Sequence, residues 1–281
     1  MDDENYMQSS FVADFNEGYF LRNMFEYLKN TNSSGIFVFK EDTITYEQSE
    51  QSKTIVNEFE INTSDLVRYE FNSVAPIRIG LNLHDVLSIT KTVGKKDGLR
   101  FYKLAKDPFL YIQIISQNNT NTIEKDNFSV IKPQNIKPLT FSPPEYSRTE
   151  KNPNVTLVNT RFIKLCKALS SLKCDTITAI GYPEGITLIS MSQGILVGRI
   201  EKIGVVEDEP IENFEKLPNN PIVKMRYSTM KFLGRIGNLC SSGTIKIFME
   251  KDKPMKLITK IGNYGVIRVY IYSFKELGEK S

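Results

Sequence analysis

The sequence predicts an α+β fold built mainly of antiparallel sheet, in two similar domains with two helices each. Three observations predict it. Apolar and polar residues alternate over many short runs, the period of half-buried strands. Four segments break that rhythm with a helical period, and a proline-rich stretch divides the 281-residue chain near its middle. The composition, 40% hydrophobic and 25% charged, is that of an ordinary folded chain and argues against disorder.

The clearest alternating runs are 35–39, 43–46, 99–104, 109–115, 176–180, 185–189, 244–248 and 266–271. Turn residues punctuate them: Lys40 to Asp42, Asp107-Pro108, Tyr182 to Gly185, and Lys251 to Pro254 read as hairpin connections. The first helical segment, from Gly18, sets Phe20, Leu21, Met24, Phe25 and Leu28 on one face. A second, from Asn82, carries Leu83, Val86, Leu87, Thr90 and Val93. The third follows an Asn159 cap and carries Phe162, Ile163, Leu165, Cys166, Leu169 and Leu172. A fourth runs from Lys224 through Tyr227, Met230, Leu233, Ile236 and Leu239, with Gly234 and Gly237 weakening its far end. The starts are separated by roughly 64, 76 and 66 residues, close to a fourfold repeat of strand, helix and several strands.

The long middle interval holds an inserted connection. Pro133, Pro138, Pro143, Pro144 and Pro153 cannot continue a central strand, so the stretch reads as an extended linker. The expected division is an N-terminal domain over 1–132, its first nine residues a flexible extension, a linker over 133–150, and a C-terminal domain over 151–281. Leu139 and Phe141 are apolar residues stranded in the linker, and either pin it to a core or rim a groove for a partner peptide.

The residue inventory removes most catalytic classes. His84 is the one histidine and there is no tryptophan, so a nucleophilic triad would have to be built on a residue that reads as an exposed helix start. Cys166, Cys174 and Cys240 form neither a disulfide framework nor a clustered zinc site. No phosphate-binding glycine motif occurs; Gly94-Lys95-Lys96-Asp97-Gly98 has the wrong spacing and reads as a turn. The acidic run Glu207-Asp208-Glu209 reads as a solvated loop. No apolar run is long enough to span a membrane, and the acidic start is unlike a signal peptide, so an intracellular chain with no cofactor, metal or enzymatic activity is expected.

Lysine plus arginine (36) nearly balances aspartate plus glutamate (33), yet the charge is segregated. Residues 158–173 hold Arg161, Lys164, Lys167 and Lys173, and residues 221–242 hold Lys224, Arg226, Lys231 and Arg235, with no acid in either stretch. Arg161, Lys164 and Lys167 recur every three residues opposite the Phe162, Leu165 and Leu169 side, so one face buries and the other presents charge. The first two helical segments add Arg22, Lys29, Lys91, Lys95 and Lys96, while acids gather at Glu47, Glu50, Glu58 and Glu60 and over 201–215.

Several segments, in order, resemble the sliding clamps of DNA replication of the proliferating cell nuclear antigen family, over roughly residues 11–274. They are Phe11-Val-Ala-Asp-Phe with Phe20 to Lys29, Arg68-Tyr-Glu-Phe with Ile79 to Leu83 and Lys91 to Gly94, Phe162 to Ser170 with Glu184 to Leu188, and Arg226-Tyr227 with Pro254 to Tyr270. The resemblance implies the DNA-clamp fold: two topologically similar domains per chain, assembled as a homotrimeric ring with helices lining the hole. It implies a polymerase processivity factor in DNA replication and repair, placed on duplex DNA by a clamp loader, in the nucleus or at a cytoplasmic viral replication site. Family residues matching Arg22, Lys29, Lys91, Lys164, Lys167 and Arg226 face DNA; the helical pattern adds Arg161, Lys231 and Arg235. The family's partner-peptide pocket corresponds to Gln48, Ser52, Ile55, Leu139, Phe141, Pro254, Tyr270 and Tyr272. Its rings close by edge-strand pairing, here between a strand carrying Phe128 and Val130 and one carrying Ile195, Val197 and Arg199. The polar Gln48 and Ser52, the bulky Tyr272, the N-terminal extension and the Pro-rich linker point to a divergent member, of viral or protist type. Alternatives weighed against it are a subunit of a hetero-oligomeric checkpoint clamp, a clamp-derived transcription or scaffold factor that does not encircle DNA, and a nuclease using the acidic loop.

Overall fold

The alternating runs become strands and the helical segments become helices in the structure, a computed structural model that describes residues 9–48, 54–116, 128–172, 174–191, 198–206 and 219–273. Among the described residues the elements recur as strand, helix and three strands. The first set is β1 (Ser9–Phe15), α1 (Gly18–Thr31), β2 (Ser34–Phe39), β3 (Thr43–Gln48) and β4 (Ile55–Asn62), after which β5 (Arg68–Phe71) stands outside the pattern. The second is β6 (Ile77–Asn82), α2 (Leu83–Thr90), β7 (Gly98–Leu104), β8 (Leu110–Ile115) and β9 (Phe128–Ile131). The third is β10 (Val155–Val158), α3 (Asn159–Ser171), β11 (Thr176–Tyr182), β12 (Glu184–Met191) and β13 (Gly198–Val205). The fourth is β14 (Ile222–Arg226), α4 (Tyr227–Leu233), β15 (Thr244–Phe248), β16 (Met255–Ile261) and β17 (Gly265–Ile271). The repeat expected from helix spacing is therefore present in the element order.

The chain divides into two compact units, one of residues 1–51, 57–139 and 260–267, the other of 52–56, 140–259 and 268–281. Within the first, strands run in the order β5-β1-β7-β8-β9 and β4-β3-β2-β6; within the second, β13-β12-β11-β14 and β10-β15-β16-β17. Each repeat lends its leading strand to the three-stranded meander of its neighbour: β1 pairs with β7 and β6 with β2, and likewise β14 with β11 and β10 with β15. That exchange explains why two repeats make one unit. A single repeat would leave its leading strand and its sheet edge unpaired. The four anticipated hairpins are present as antiparallel pairs of β2 with β3, β7 with β8, β11 with β12 and β15 with β16.

Aromatic residues dominate the first core. Phe11 and Phe39 stack with centroids 4.0 Å apart, and Tyr46 stacks on Phe59 at 5.3 Å. Offset and edge contacts of this kind add to the burial of large rings. Buried polar groups are joined: the Tyr27 hydroxyl donates to Asn57 Oδ1 at 2.7 Å, and Gln48 Oε1 accepts from the Asn57 backbone N–H at 2.9 Å and from Asn57 Nδ2 at 3.3 Å. In the second unit α3 sets Phe162, Leu165, Cys166 and Leu169 inward and α4 sets Met230 and Leu233 inward, with Cys166 Sγ 3.5 Å from Met230 Sδ.

Two details correct the sequence reading. The fourth helix begins at Tyr227, three residues later than Lys224, because Ile222 to Arg226 pair with β11 as β14; it ends at Leu233, and Ile236–Asn238 form a separate 3-10 turn. Asn159 is the first residue of α3, with Val158 in the cap position and no side-chain cap. Its amide nitrogen instead donates 2.7 Å to the Cys240 carbonyl, a tertiary bond that helical spacing cannot show. Asn82, by contrast, does cap α2, accepting from the His84 N–H at 2.9 Å. The 94–98 segment is a turn as expected: the Gly94 N–H donates to Asp97 Oδ2 at 2.8 Å, and the Asp97 carbonyl accepts from Gly18 at the start of α1.

Candidate nucleic-acid and partner interfaces

The exposed faces of the helices carry the first candidate surface. On α3, Arg161, Lys164 and Lys167 are exposed while the residues between them face inward, so the helix separates its cations from its apolar side as the three-residue recurrence requires. Arg226, at the start of α4, and Lys231, in its last turn, are exposed; Arg235 follows the helix and is half-buried. In the first unit Lys29 closes α1 and is exposed, as are Lys91, Lys95 and Lys96 beyond α2. Arg22 is different. It is half-buried, donates from Nη1 to the Val93 carbonyl at 3.0 Å and lies 5.9 Å from the Tyr19 ring centre, so part of its donor set is committed to holding α1 beside the end of α2. Exposed Asp85 on α2 makes this unit's helical face less uniformly basic.

The second candidate surface divides between the units. In the first, Gln48 is 3% exposed and its backbone carbonyl accepts from the Leu139 N–H at 2.7 Å, so the half-buried Leu139 is held against β3. In the second, Phe141 is half-buried with its ring 5.2 Å from that of Tyr270; Ile55, Pro254 and Tyr270 are buried and Tyr272 is half-buried. Ser52 lies outside the described residues. Tyr146 was missed by sequence reasoning. Its hydroxyl donates to the Pro254 carbonyl at 2.6 Å, and burial, with Tyr270 and Tyr272 nearby, pushes its phenol well up. A lone tyrosine in a polar linker gives no periodic signal.

The third surface is a pair of sheet edges. β9 ends the order β5-β1-β7-β8-β9, and there Phe128 and Val130 are 39% and 49% exposed. An aromatic ladder reaches this edge: Tyr102 stacks on Tyr111 at 4.7 Å, and Tyr111 meets Phe128 at 5.3 Å. Tyr111 is fixed by a bond from its hydroxyl to Asp107 Oδ2, and that bond, with the Phe109 N–H, holds the Asp107 carboxyl below the usual carboxylate range. In the other unit β13 ends the order β13-β12-β11-β14; Arg199 lies on it, exposed, with Nε 2.6 Å from Glu201 Oε1. Ile195 and Val197 fall outside the described residues, as do the 207–209 acidic run and residues 1–8.

Burial pushes the Cys166 thiol up, away from the thiolate a nucleophile needs. Among the described residues, no group of three or more His, Cys, Asp or Glu is arranged to hold a metal ion. None of their helices is long and apolar enough to cross a membrane.

Comparison with solved structures decides the fold. The proliferating cellular nuclear antigen of Entamoeba histolytica superposes with a TM-score of 0.74 at 18% identity, over 94% of this chain and 98% of that one. The chain has the proliferating cell nuclear antigen fold. At this identity the likeness is one of architecture, and it spans both units. No protein-family model and no curated protein sequence matches.

Proposed function

We propose that the chain is a non-catalytic sliding clamp: a subunit of a ring, three identical copies by the family pattern, that encircles duplex DNA and tethers a polymerase and other replication and repair proteins. The observation that carries this reading is the exposed Arg161, Lys164 and Lys167 face of α3, with Arg226 and Lys231 on α4, on a chain with the clamp fold and nearly balanced total charge. Cations on helix faces neutralise phosphates without reading base edges, so binding is non-specific, screened by salt and compatible with sliding. A closed ring supplies retention by topology, and weak contacts then suffice.

Among the described residues β9 and β13 end their sheets, and this supports ring closure. They are different surfaces of one chain, so pairing β9 of one copy with β13 of the next is a head-to-tail contact, which closes when the rotation between copies completes a circle. Phe128 and Val130 would be covered and both edges satisfied. For partners, the reading uses Phe141, Tyr270, Tyr272 and Pro254 as the receiving surface for a short peptide with an aliphatic plug and aromatic anchors.

The direct test is extension by a DNA polymerase on a long primed circle, with a clamp loader supplied. Longer products from each binding event are expected, and no gain over polymerase alone would sink the reading. The mass of the purified chain in solution tests assembly: three times the protomer mass is expected, and a stable monomer at high concentration would count against the homo-oligomer.

A further inference from the structure

The linker that leads into the second unit is fastened at one place by a single carboxylate. Glu250, just after β15, accepts from the Ser147 N–H at 3.0 Å, the Ser147 hydroxyl at 2.8 Å and the Arg148 N–H at 3.0 Å, and pairs with Lys253 Nζ at 2.7 Å. Lys253 also donates to the Glu145 carbonyl, so the same hairpin grips the segment from both polarities. Between these points Tyr146 turns inward. Lys256 Nζ lies 4.0 Å from the centre of its ring and 4.6 Å from that of Phe248, and Lys256 is 7% exposed. Burial alone would raise the Glu250 carboxyl, but the Lys253 ammonium and the Ser147 and Arg148 donors outweigh it and hold it at about 2.

We propose that Glu250 is a latch that fastens residues 145–148 to the β15–β16 hairpin, and that the latch sets the position of Phe141 through the stiff Pro143-Pro144 pair. Two prolines in succession hold an extended, polyproline-like backbone with few alternatives. A fixed point at Ser147 therefore constrains the chain back to Phe141, whose ring lies 5.2 Å from that of Tyr270. The carboxylate suits this role because one anion satisfies two consecutive backbone amides and a hydroxyl, and charge-assisted bonds of this kind are about twice as strong as neutral ones. The effect on peptide docking rests on the partner reading above; the latch itself does not.

Hydrogen exchange on the full-length chain tests the latch. In Glu250→Gln, which keeps size and removes the charge, exchange at the Ser147 and Arg148 amides should quicken about tenfold, as expected when a charge-assisted bond is weakened. Ser147→Ala keeps both amide donors and should leave Arg148 protected. Unchanged exchange in Glu250→Gln overturns the proposal. The lever is tested by a fluorescent peptide with one aliphatic plug and two aromatic anchors. Glu250→Gln should weaken it about tenfold, and Pro143→Gly with Pro144→Gly should weaken it while Ser147 and Arg148 stay protected. Full peptide affinity in Glu250→Gln, with exchange already accelerated, overturns the coupling. A wild-type chain that takes no peptide at all removes the partner reading, and the exchange result still decides the latch.

Discussion

A buried amide network joins Tyr27, Asn57 and Gln48 in the first unit, and it defines what Gln48 does locally. Replacing Gln48 by alanine removes the acceptor of the buried Asn57 N–H, while Asn57 Nδ2 keeps its bond to Thr31 Oγ1 at 3.1 Å, so a destabilisation of about 1–3 kcal/mol is expected, read as a lowered midpoint in denaturant. Glu250 acts through its charge. Its folded pKa, about 2, lies below the ordinary value of 4.5, so its stabilisation is complete above that ordinary value and is lost as pH falls toward 2. Protection of the Ser147 amide, taken relative to its intrinsic exchange rate at each pH, should accordingly fall as pH is lowered from 4.5 to 2, whereas Glu250→Gln should lack that loss of protection. For Lys164, Lys167 and Arg226, replacement by alanine is expected to weaken duplex binding and flatten its salt dependence, by about 0.9 in log–log slope for each phosphate that is no longer neutralised. An unchanged slope would remove them from the DNA surface.

Among the elements, β9 and the linker behave differently when altered. Val130 is 49% exposed at a sheet edge, so Val130→Asp should leave the fold and its melting behaviour nearly unchanged while reducing the solution mass to that of one chain. Persistence of the larger mass would place the interface elsewhere. On β6, a Cβ at Gly80 would stand 2.2 Å from the Gln134 carbonyl oxygen, where Gln134 donates its N–H to the Gly80 carbonyl. Gly80→Ala should therefore push the start of the linker off β6, costing about 1–3 kcal/mol and exposing residues near Gln134 to proteolysis. The strands and hairpins were readable because alternation and turn residues are local signals. The start of α4 was not: Lys224 fits a helical pattern and an alternating one equally, and pairing with β11 settles which is used. The same holds for Asn159, whose amide is claimed by Cys240 from far along the chain.

For the molecule as a whole, spacing of four helical segments already implied a fourfold repeat, and the structure adds how repeats combine. Leading strands are exchanged in pairs, a pattern that periodicity within any one repeat does not encode. The exchange predicts cooperativity: removing the β10 to α3 portion should unfold the β15–β16–β17 meander with it, measurable as disappearance of one unfolding transition rather than a graded decrease. The candidate surfaces were unevenly visible. Arg161, Lys164 and Lys167 were legible because a three-residue recurrence opposite an apolar face is a property of the helix alone. Arg22 bonding to Val93, the anchoring of Tyr146 and the latch at Glu250 were not, since each depends on residues separated by many positions.

The sequence by itself determined the element types, the repeat, the proline-rich connection and the segregation of charge, because all of these are set by neighbours a few residues apart. Tertiary structure alone decided which strands exchange between repeats, which strands end the sheets among the described residues, and which polar side chains are committed inside. Those outcomes follow from the requirement that buried donors and acceptors find partners wherever the chain brings them, a requirement that acts across the fold and leaves no mark at short range.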